Sequence, residues 1–564
     1  MMRKQNHGII LFHILNKLRT AVGCLAIATF VVGVRAEEKV ATWKGTSSDR
    51  FWDVPSNWAE GVVPGRYITK DENNNIVTNG EYGWTARFSR SDAQWAVKTA
   101  NLVSISNIVV TGANVTTQIG QKGESIPLED GGGIYIEESN TKNISFPSCI
   151  GIAGQRNATV IYHIKNDSPR PLKLEHGFSG AKFWMDGVFG APHMRFEGRG
   201  EIWLGGPFPS NNGFRPYLDV AMDDGGELHI TNTVYNFRCV DVPAGLPKQH
   251  VVIEPGSILR TGVQAAQRQL NAQSDIEISG EGTFQVNMSS GYLDVNGDGG
   301  ATVTISTQIS QYYTGADAGF AVTGRGTLRC TGGNTIPQDI KIDSSVVEAR
   351  TIGMAGEAGD IGFGRKISID HGGTLRYTGG GETTDRNIEL GYYTNVIEQA
   401  GTGPVIFTGS ITSLISQATI CLSNDTDVAA TYAGPILAGI QNPIVRKRGT
   451  GEWILSGANT TTGMFYHEGG ILTVGSSSSL PRLTVAGAGT LKVADGVALT
   501  LSEDKFIYDS GVLDVRLGSD AKFIVVGAPR GPAPGWLTLN GGPAKYKSDG
   551  ELVMANRGIV ITFR

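Results

Sequence analysis

Short apolar segments separated by glycine and small polar residues recur along most of the chain. Segments such as 452–455 and 471–474 combine Trp, Ile, Leu or Val and are bounded by Gly, Ser, Thr or Asn. β-branched and aromatic residues favour strands, whereas glycine and asparagine favour turns. We find no sustained apolar stripe with helical spacing beyond the first 35 residues. The pattern therefore predicts a chain that consists mostly of short β-strands.

A Gly-x-Gly motif precedes many of these predicted strands. Strict copies with their strands occupy residues 198–204, 280–286, 324–328, 401–407, 449–455 and 487–491. Glycine supplies the positive φ that a sharp corner requires, and one turn of chain cannot bury its own apolar side chains. Asn459 lies where a side-chain amide could bond to the backbone at such a corner. The repeat predicts stacked coils of ~23 residues, some ~20 turns in all, in a rod about 100 Å long.

The clearest copy is KRGTGEWILSGANTTTGMFYHEGGILTVG, at residues 447–475. It resembles the autotransporter-associated β-strand repeat, in which Gly-x-Gly, an apolar strand, Ser-Gly-Ala-Asn, a Thr/Gly segment and Gly-x-Leu-x-Val follow in order. The aromatic residue that usually follows Asn-Thr is replaced here by Thr461-Thr462-Gly463. The resemblance implies an all-β fold, a right-handed parallel β-helix (β-solenoid) carried outside a bacterial cell. We assign residues 66–564 to this β-helix.

Residues 1–36 have the features of a secretory signal peptide. Basic residues precede an apolar run of ~14 residues that closes on Val34-Arg35-Ala36. The run is shorter than the ~20 residues of a membrane-spanning helix. A lipoprotein site at Cys24 is disfavoured because the apolar run continues past that cysteine. We expect cleavage after Ala36 and no transmembrane span after its removal.

Residues 37–65 form a tryptophan-rich segment that precedes the predicted β-helix. Its sequence resembles the opening found before many repeat passengers of this kind, through Trp43, Trp52, Asn57, Trp58, Gly61 and Pro64. The tryptophans are expected to cover the first open coil, since an uncovered sheet end invites edge pairing. An exposed sugar-stacking platform is the alternative.

The charge balance narrows the choice of partners. Removal of residues 1–36 takes away five basic residues and no acidic one, so the formal net charge falls from −5 to −10. Nucleic acid is therefore not expected as a partner, because phosphate binding needs a basic face. The remaining cysteines have no metal-ligand or redox spacing, and we expect no cofactor.

The end of the chain departs from the autotransporter pattern. The residues after Val493 do not show the alternating ~10-residue strands of a membrane barrel. We therefore expect export without self-translocation.

An aromatic-rich span at residues 178–217 is the best candidate for sugar contact. Aromatic rings stack on the apolar faces of sugars, and neighbouring charges can orient hydroxyl groups. We name Trp184, Arg215 and Tyr217 as candidate carbohydrate-binding residues, and expect Trp203 to point into the interior. The alternative is that this span supplies interior aromatic residues and wall loops.

A partial calcium-loop pattern is present at Asp294, Asn296 and Asp298. The twelfth position, where a complete loop carries a carboxylate, holds Ile305. We interpret this segment as a turn and expect no metal there.

No catalytic signature is apparent. Asp223-Asp224 precedes Gly225-Gly226 and is interpreted as a turn, and no nucleophile motif occurs. The sequence favours a secreted, extracellular or cell-surface structural or adhesive β-solenoid, with a polysaccharide or surface glycan as partner and a periplasmic location still open. The alternative is a polysaccharide lyase or glycoside hydrolase with a groove on the β-helix wall. Three or more convergent ionisable side chains in an open cleft would favour the enzyme.

Overall fold

The chain folds into a β-solenoid of about 16 turns with almost no helix. The computed structural model describes residues 38–44, 50–89, 95–113, 116–152, 160–176, 178–180, 192–206, 216–231, 234–261, 268–287, 292–295, 300–313, 320–413, 415, 418–437 and 442–555. Two short 3₁₀ turns, Pro55–Asn57 and Glu503–Lys505, are its helical elements within those ranges.

The strands of the first half are β1 (Lys39–Trp43), β2 (Arg66–Lys70), β3 (Ile76–Gly80), β4 (Trp84–Phe88), β5 (Trp95–Val97), β6 (Leu102–Val110), β7 (Thr117–Ile119), β8 (Ser125–Ile136), β9 (Ile144–Phe146), β10 (Cys149–Ile152), β11 (Ile161–Asn166), β12 (Leu172–Leu174), β13 (Phe178–Gly180), β14 (His193–Gly198), β15 (Ile202–Leu204), β16 (Tyr217–Met222), β17 (Leu228–Ile230), β18 (Val234–Asn236), β19 (Val240–Val242), β20 (Gln249–Ile253), β21 (Ile258–Arg260), β22 (Arg268–Ala272), β23 (Ile276–Ser279), β24 (Thr283–Asn287), β25 (Tyr292–Asp294), β26 (Thr302–Ile305) and β27 (Gln308–Tyr313).

Those of the second half are β28 (Phe320–Thr323), β29 (Thr327–Cys330), β30 (Ile340–Asp343), β31 (Val346–Ala349), β32 (Lys366–Asp370), β33 (Thr374–Tyr377), β34 (Gly380–Thr384), β35 (Asn387–Leu390), β36 (Thr394–Gln399), β37 (Gly403–Phe407), β38 (Ile411–Ser413), β39 (Thr419–Asn424), β40 (Ala430–Tyr432), β41 (Ile444–Arg448), β42 (Glu452–Leu455), β43 (Phe465–His467), β44 (Gly470–Val474), β45 (Leu483–Ala486), β46 (Gly489–Val493), β47 (Ala498–Ser502), β48 (Phe506–Ser510), β49 (Leu513–Leu517), β50 (Lys522–Val526), β51 (Gly531–Pro532), β52 (Leu537–Leu539), β53 (Gly542–Tyr546) and β54 (Leu552–Met554).

The strands stack into long parallel sheets that we call walls. The first wall includes β11, β14, β16, β19, β22, β25, β28, β30, β32, β35 and β38. The second wall includes β12, β15, β17, β20, β23, β26, β29, β31, β33, β36, β39, β41, β43, β45 and β48. A third wall is formed first by β18, β21, β24 and β27, and later by β34, β37, β40, β42, β44, β46, β49 and β52. The predicted parallel β-helix is confirmed.

The clearest repeat forms successive coils. Strands β42 and β44 pair in parallel, with Trp453 opposite Leu472, so one coil takes 19 residues here. Longer loops lengthen other coils, since Ile164 pairs with Phe196, 32 residues later. Such excursions explain why the chain makes fewer turns than the ~20 expected from ~23 residues a coil.

Side-chain alternation along each strand places one set of residues in the interior. Ile164, Phe196 and Val220 lie opposite one another on successive strands of the first wall, and all three are wholly buried. The corner role predicted for Asn459 is confirmed, because its Oδ1 accepts a hydrogen bond from the amide of Ile436 at 2.7 Å. Each coil thus buries its apolar side chains in an interior that it shares with neighbouring coils.

Three tryptophans cluster near the first coil. Trp43, Trp52 and Trp58 are buried, and their rings lie about 5 to 6 Å from one another or from the ring of Phe88. The indole N–H groups of Trp52 and Trp58 donate to backbone carbonyls at 2.9 and 2.8 Å. Buried rings offer no face to a sugar, so this cluster has a packing role.

Antiparallel pairs occur close to both ends of the described chain. Strands β2 and β3 form a hairpin between β1 and β4, which pair with each other in parallel, and β53 pairs antiparallel with β51, β52 and β54. The predicted bounds of the β-helix, residues 66–564, stay a prediction. The predicted limits of the signal peptide and of the tryptophan-rich segment remain predictions, and residues 1–37 lie outside the described chain. Among the described residues, no helix has the length and apolar character needed to cross a lipid bilayer.

Candidate functional site

A column of polar side chains follows the outer face of the first wall. Successive strands align because parallel pairing keeps equivalent positions in register, about 4.8 Å apart. One column of paired positions runs through His163, Arg195, Asp219, Asp241, Asn271 and Asp294. Consecutive coils therefore present imidazole, guanidinium, carboxylate and amide groups to one another.

His193 and Tyr217 lie beside this column, at the first positions of β14 and β16. Their rings stack face to face, with centroids 4.5 Å apart and planes inclined by 10°. Nδ1 of His193 lies 2.7 Å from Oδ1 and 2.9 Å from Oδ2 of Asp219. The side chain of His193 is 22% exposed and that of Asp219 is 9% exposed. The stack thus fixes an aromatic pair directly beside a largely covered carboxylate.

The electrostatics of this group favour a protonated imidazole. The hydrogen bond that the His193 imidazole donates to Asp219 raises the pKa of His193 and outweighs the opposing effect of burial, and the charge of Asp241 adds a further raising contribution. Burial, together with the nearby charge of Asp219, raises the pKa of Asp241, although the amide of Asn271 donates to it at 2.8 Å and acts in the other direction. The group therefore combines an imidazole donor with carboxylate acceptors.

His193, Asp219 and Asp241 each offer one ligand atom, and these three atoms all lie within 4.8 Å of one another. One imidazole nitrogen and two carboxylate oxygens are a donor set that a divalent ion can use. The pKa of His193 is raised by its hydrogen bond to Asp219, which favours a proton on the imidazole over a metal ion. The same convergence of three ionisable groups is what general acid–base chemistry would need.

The structure describes some of the predicted site residues and not others. Tyr217 lies on the outer face, as described, whereas Trp184 and Arg215 lie outside the described residues. Of the partial calcium loop, Asn296 and Asp298 also lie outside them. Asp294 is largely buried and is paired with Nη2 of Arg268 at 3.2 Å, so this carboxylate is occupied by a guanidinium.

The expectation that Trp203 points into the interior is wrong. Its neighbours Ile202 and Leu204 are wholly buried, so the two-residue period of β15 places Trp203 on the outer face of the second wall. There its ring stacks on His229, with centroids 4.3 Å apart and planes inclined by 6°, and Nζ of Lys173 lies 5.5 Å from the ring centroid. Nδ1 of His229 lies 2.9 Å from Glu254. The second wall therefore carries its own stacked aromatic pair.

Sequence reasoning did not select His193, Asp219 and Asp241 as a group. They are separated by 26 and 22 residues, and their proximity depends on which residues of neighbouring coils pair. An alignment of the coils by their buried positions is the signal that could have found them.

Comparisons with known proteins give one partial match. The chain is 38% identical over 122 residues to the adhesin BmaC autotransporter of Brucella suis biovar 1 (strain 1330), a match that covers 20% of this chain. The chain spans only 4% of the length of that adhesin. No family model matches the chain, and no solved structure matches it.

Proposed function

We propose that this chain is a secreted or cell-surface adhesive rod that contacts a glycan through the first wall at His193, Tyr217, Asp219 and Asp241. A β-solenoid fold and a partial match to an autotransporter adhesin together fit an adhesive structural role at a cell surface. A stack of coils can present a long surface, because each coil is stabilised by its two neighbours. The formal charge of −10 after removal of residues 1–36 argues for a neutral glycan over an acidic one.

The stacked His193–Tyr217 pair is the observation that carries the proposal. An aromatic ring can stack on the apolar face of a sugar, and the adjacent carboxylates can accept hydrogen bonds from its hydroxyl groups. The ion pair with Asp219 orients the imidazole, so the ring pair is ordered before a ligand arrives. Preorganisation of this kind lowers the entropic cost of binding.

The test uses residues 37–564, purified and attached to beads. Retention of the beads is measured on cultured epithelial monolayers, before and after periodate oxidation of the surface sugars. We expect retention that periodate abolishes and that Tyr217→Ala reduces. Tyr82→Ala, which alters an exposed tyrosine of the N-terminal hairpin region, is the matched control and should retain full binding. Beads that adhere no better than albumin-coated beads would refute the adhesive role.

Retention that survives periodate would instead contradict the glycan contact while leaving adhesion in place. If Tyr217→Ala and the unaltered chain are retained equally, any glycan site lies elsewhere than on this wall.

The second candidate is a polysaccharide-degrading enzyme, which the convergence of His193, Asp219 and Asp241 favours. The carboxylate oxygens of Asp219 and Asp241 lie within 4.8 Å of each other. An inverting hydrolase separates its two carboxyl groups by ~6.5–9.5 Å to admit water, so the spacing here is shorter. Release of reducing ends or unsaturated ends from uronate-containing and neutral polysaccharides tests it directly. Cleavage that Asp241→Asn abolishes would replace the adhesive proposal with the enzyme.

A further inference from the structure

At one corner of the solenoid, where the first wall passes into the second, residues other than glycine adopt positive φ in three consecutive coils. Gly198 and Gly324 follow strands of the first wall in other coils and have φ of +100° and +101°. After β30, β32 and β35 the residues other than glycine with positive φ are Ser344 (φ 61°), His371 (φ 49°, followed by Gly372 at φ 83°) and Tyr393 (φ 66°). A side chain with a Cβ is unfavourable in this conformation, and a large aromatic one is uncommon there. The chain thus keeps bulky side chains where glycine would be the easier choice.

His371, Tyr392 and Tyr393 place three rings at the surface of this corner. Tyr392 is 54% exposed and Tyr393 is 71% exposed. The ring of His371 lies 5.5 Å from that of Tyr392, at 28°, and 5.7 Å from that of Tyr393, at 53°. We call His371, Tyr392 and Tyr393 the corner aromatic cluster. Large exposed rings that group together on a folded protein mark an interaction site more often than a single exposed ring does.

The cluster is held in place by the backbone beneath it. Oδ1 of Asp370 accepts hydrogen bonds from the amide of Tyr392 at 2.7 Å and from that of His371 at 2.9 Å. Gly391 allows this approach, since a Cβ at that position would lie 2.0 Å from the same oxygen. The rings are therefore presented by a preorganised corner, which reduces the cost of ordering them on a ligand.

The charges around the cluster are already paired. Nζ of Lys341 lies 2.9 Å from Asp343 and 3.1 Å from Asp370. Burial opposes the charge on Lys341, but the hydrogen bonds to Asp343 and Asp370 outweigh it and raise the pKa of the amine. Nδ1 of His371 lies 3.2 Å from Asp343 and 3.3 Å from Asp370.

This pairing decides what the corner can bind. Asp343, Asp370 and His371 have ligand atoms close enough to hold a metal ion, but the ammonium group of Lys341 already occupies the space between the two carboxylates. A cationic peptide or a divalent ion would have to displace it. A ligand without charge that has apolar C–H faces and hydroxyl groups can use the exposed rings and the remaining carboxylate lone pairs at no such cost.

We infer that His371, Tyr392 and Tyr393 form a binding platform for a neutral saccharide at this corner of the solenoid. Tyrosine rings supply stacking surface, and Asp343 and Asp370 supply acceptors at the edge of the platform. The platform lies on coils more than 100 residues along the chain from the His193–Tyr217 pair, and it does not depend on the function proposed for that wall.

Saturation-transfer NMR with residues 37–564 tests the platform. The probes are tetrasaccharides of glucose, galactose and N-acetylglucosamine, each uncharged. We expect at least one of them to bind, and Tyr392→Ala/Tyr393→Ala to weaken it about fivefold or more, because two stacking contacts are lost. Tyr392→Phe/Tyr393→Phe keeps the rings and should retain most of the binding. Tyr82→Ala should leave it unchanged.

The platform is refuted if none of the three tetrasaccharides binds, or if the double alanine variant binds as the unaltered chain does. Binding of calcium ions or of acidic saccharides in place of the neutral probes would refute it as well. Circular dichroism of each variant confirms that the solenoid is intact. Because the readout is binding in solution, a failure of bead adhesion leaves this result unaffected, and Tyr217→Ala should retain the tetrasaccharide signal.

Discussion

Replacement of Arg386 tests how the solenoid supports the excursion between β31 and β32. Arg386 is wholly buried. Its Nε donates to the carbonyl of Gly353 at 3.2 Å, and its Nη2 donates to those of Glu357 at 3.0 Å and of Gly362. One guanidinium thus holds both ends and the middle of the segment 353–362.

The magnitude follows from these three contacts. A hydrogen bond to a charged group contributes about 1.5–3 kcal/mol, so their loss in Arg386→Ala removes roughly 4.5–9 kcal/mol before compensation. Removal of the buried charge returns several kcal/mol of desolvation cost, because burial also lowers the pKa of Arg386. We expect a net loss of about 3 kcal/mol from the local stability of this segment.

Hydrogen exchange is the appropriate assay, because a solenoid opens locally and its unfolding need not be two-state. The amides of Ile352 and Ala355, which donate to Glu382 and Asp385 at 2.6 Å, report on the segment. A loss of about 3 kcal/mol should accelerate their exchange roughly 100-fold. Amides of β42 and β44 should be unaffected, since additivity holds for distant sites.

Two variants control this experiment. Arg386→Lys keeps the charge with fewer donors in a fixed geometry, and should accelerate exchange less than alanine does. Arg516→Ala removes an exposed arginine paired with Asp514 and should leave segment 353–362 unchanged. Exchange in Arg386→Ala within about threefold of the unaltered chain would refute the reasoning, since it would correspond to less than ~0.7 kcal/mol.

Three further predictions follow from single side chains. Trp453→Ala removes a wholly buried indole and should cost about 3–5 kcal/mol of local stability, measured by hydrogen exchange of the β42 amides, while Trp453→Phe should cost less; equal costs would contradict a cavity effect. Burial lowers the pKa of His467 to about 4, so the folded state binds fewer protons than the unfolded state below pH ~6.5. About 3 kcal/mol of stability should therefore be lost as the pH falls from ~6.5 to 4, and a thermal denaturation series in which His467→Gln loses as much would show another group responsible. The raised pKa of His193 means that its ion pair stabilises the fold below pH ~6.5 and that this contribution is lost as the pH rises through the raised value. An NMR titration should place its midpoint above 6.5 and lower in Asp219→Asn; a midpoint at or below 6.5 in the unaltered chain would remove the argument for the protonated pair.

Much of the architecture is encoded locally. The Gly-x-Gly copies and the apolar segments after them identify the strands, and the pair at 452–455 and 471–474 stacks as expected. This works because the requirements are short-range: glycine at a left-handed corner, alternating apolar residues in a strand, and an asparagine such as Asn459 at a turn. The tryptophans of residues 43–58, expected to cover the first coil from the resemblance of that segment to passenger openings, are buried.

The outer faces required the tertiary structure. Trp203 was assigned to the wrong side of its strand because hydrophobicity suggests burial, whereas the pairing of Ile202 and Leu204 with neighbouring coils decides which side faces inward. His193, Asp219 and Asp241 become one group, and His371 meets Tyr392 and Tyr393, only through coils of unequal length. The sequence by itself determined that the chain coils and which residues punctuate each coil. The inter-coil register, set by interior packing summed over neighbouring turns, decided which polar and aromatic side chains lie side by side on the surface.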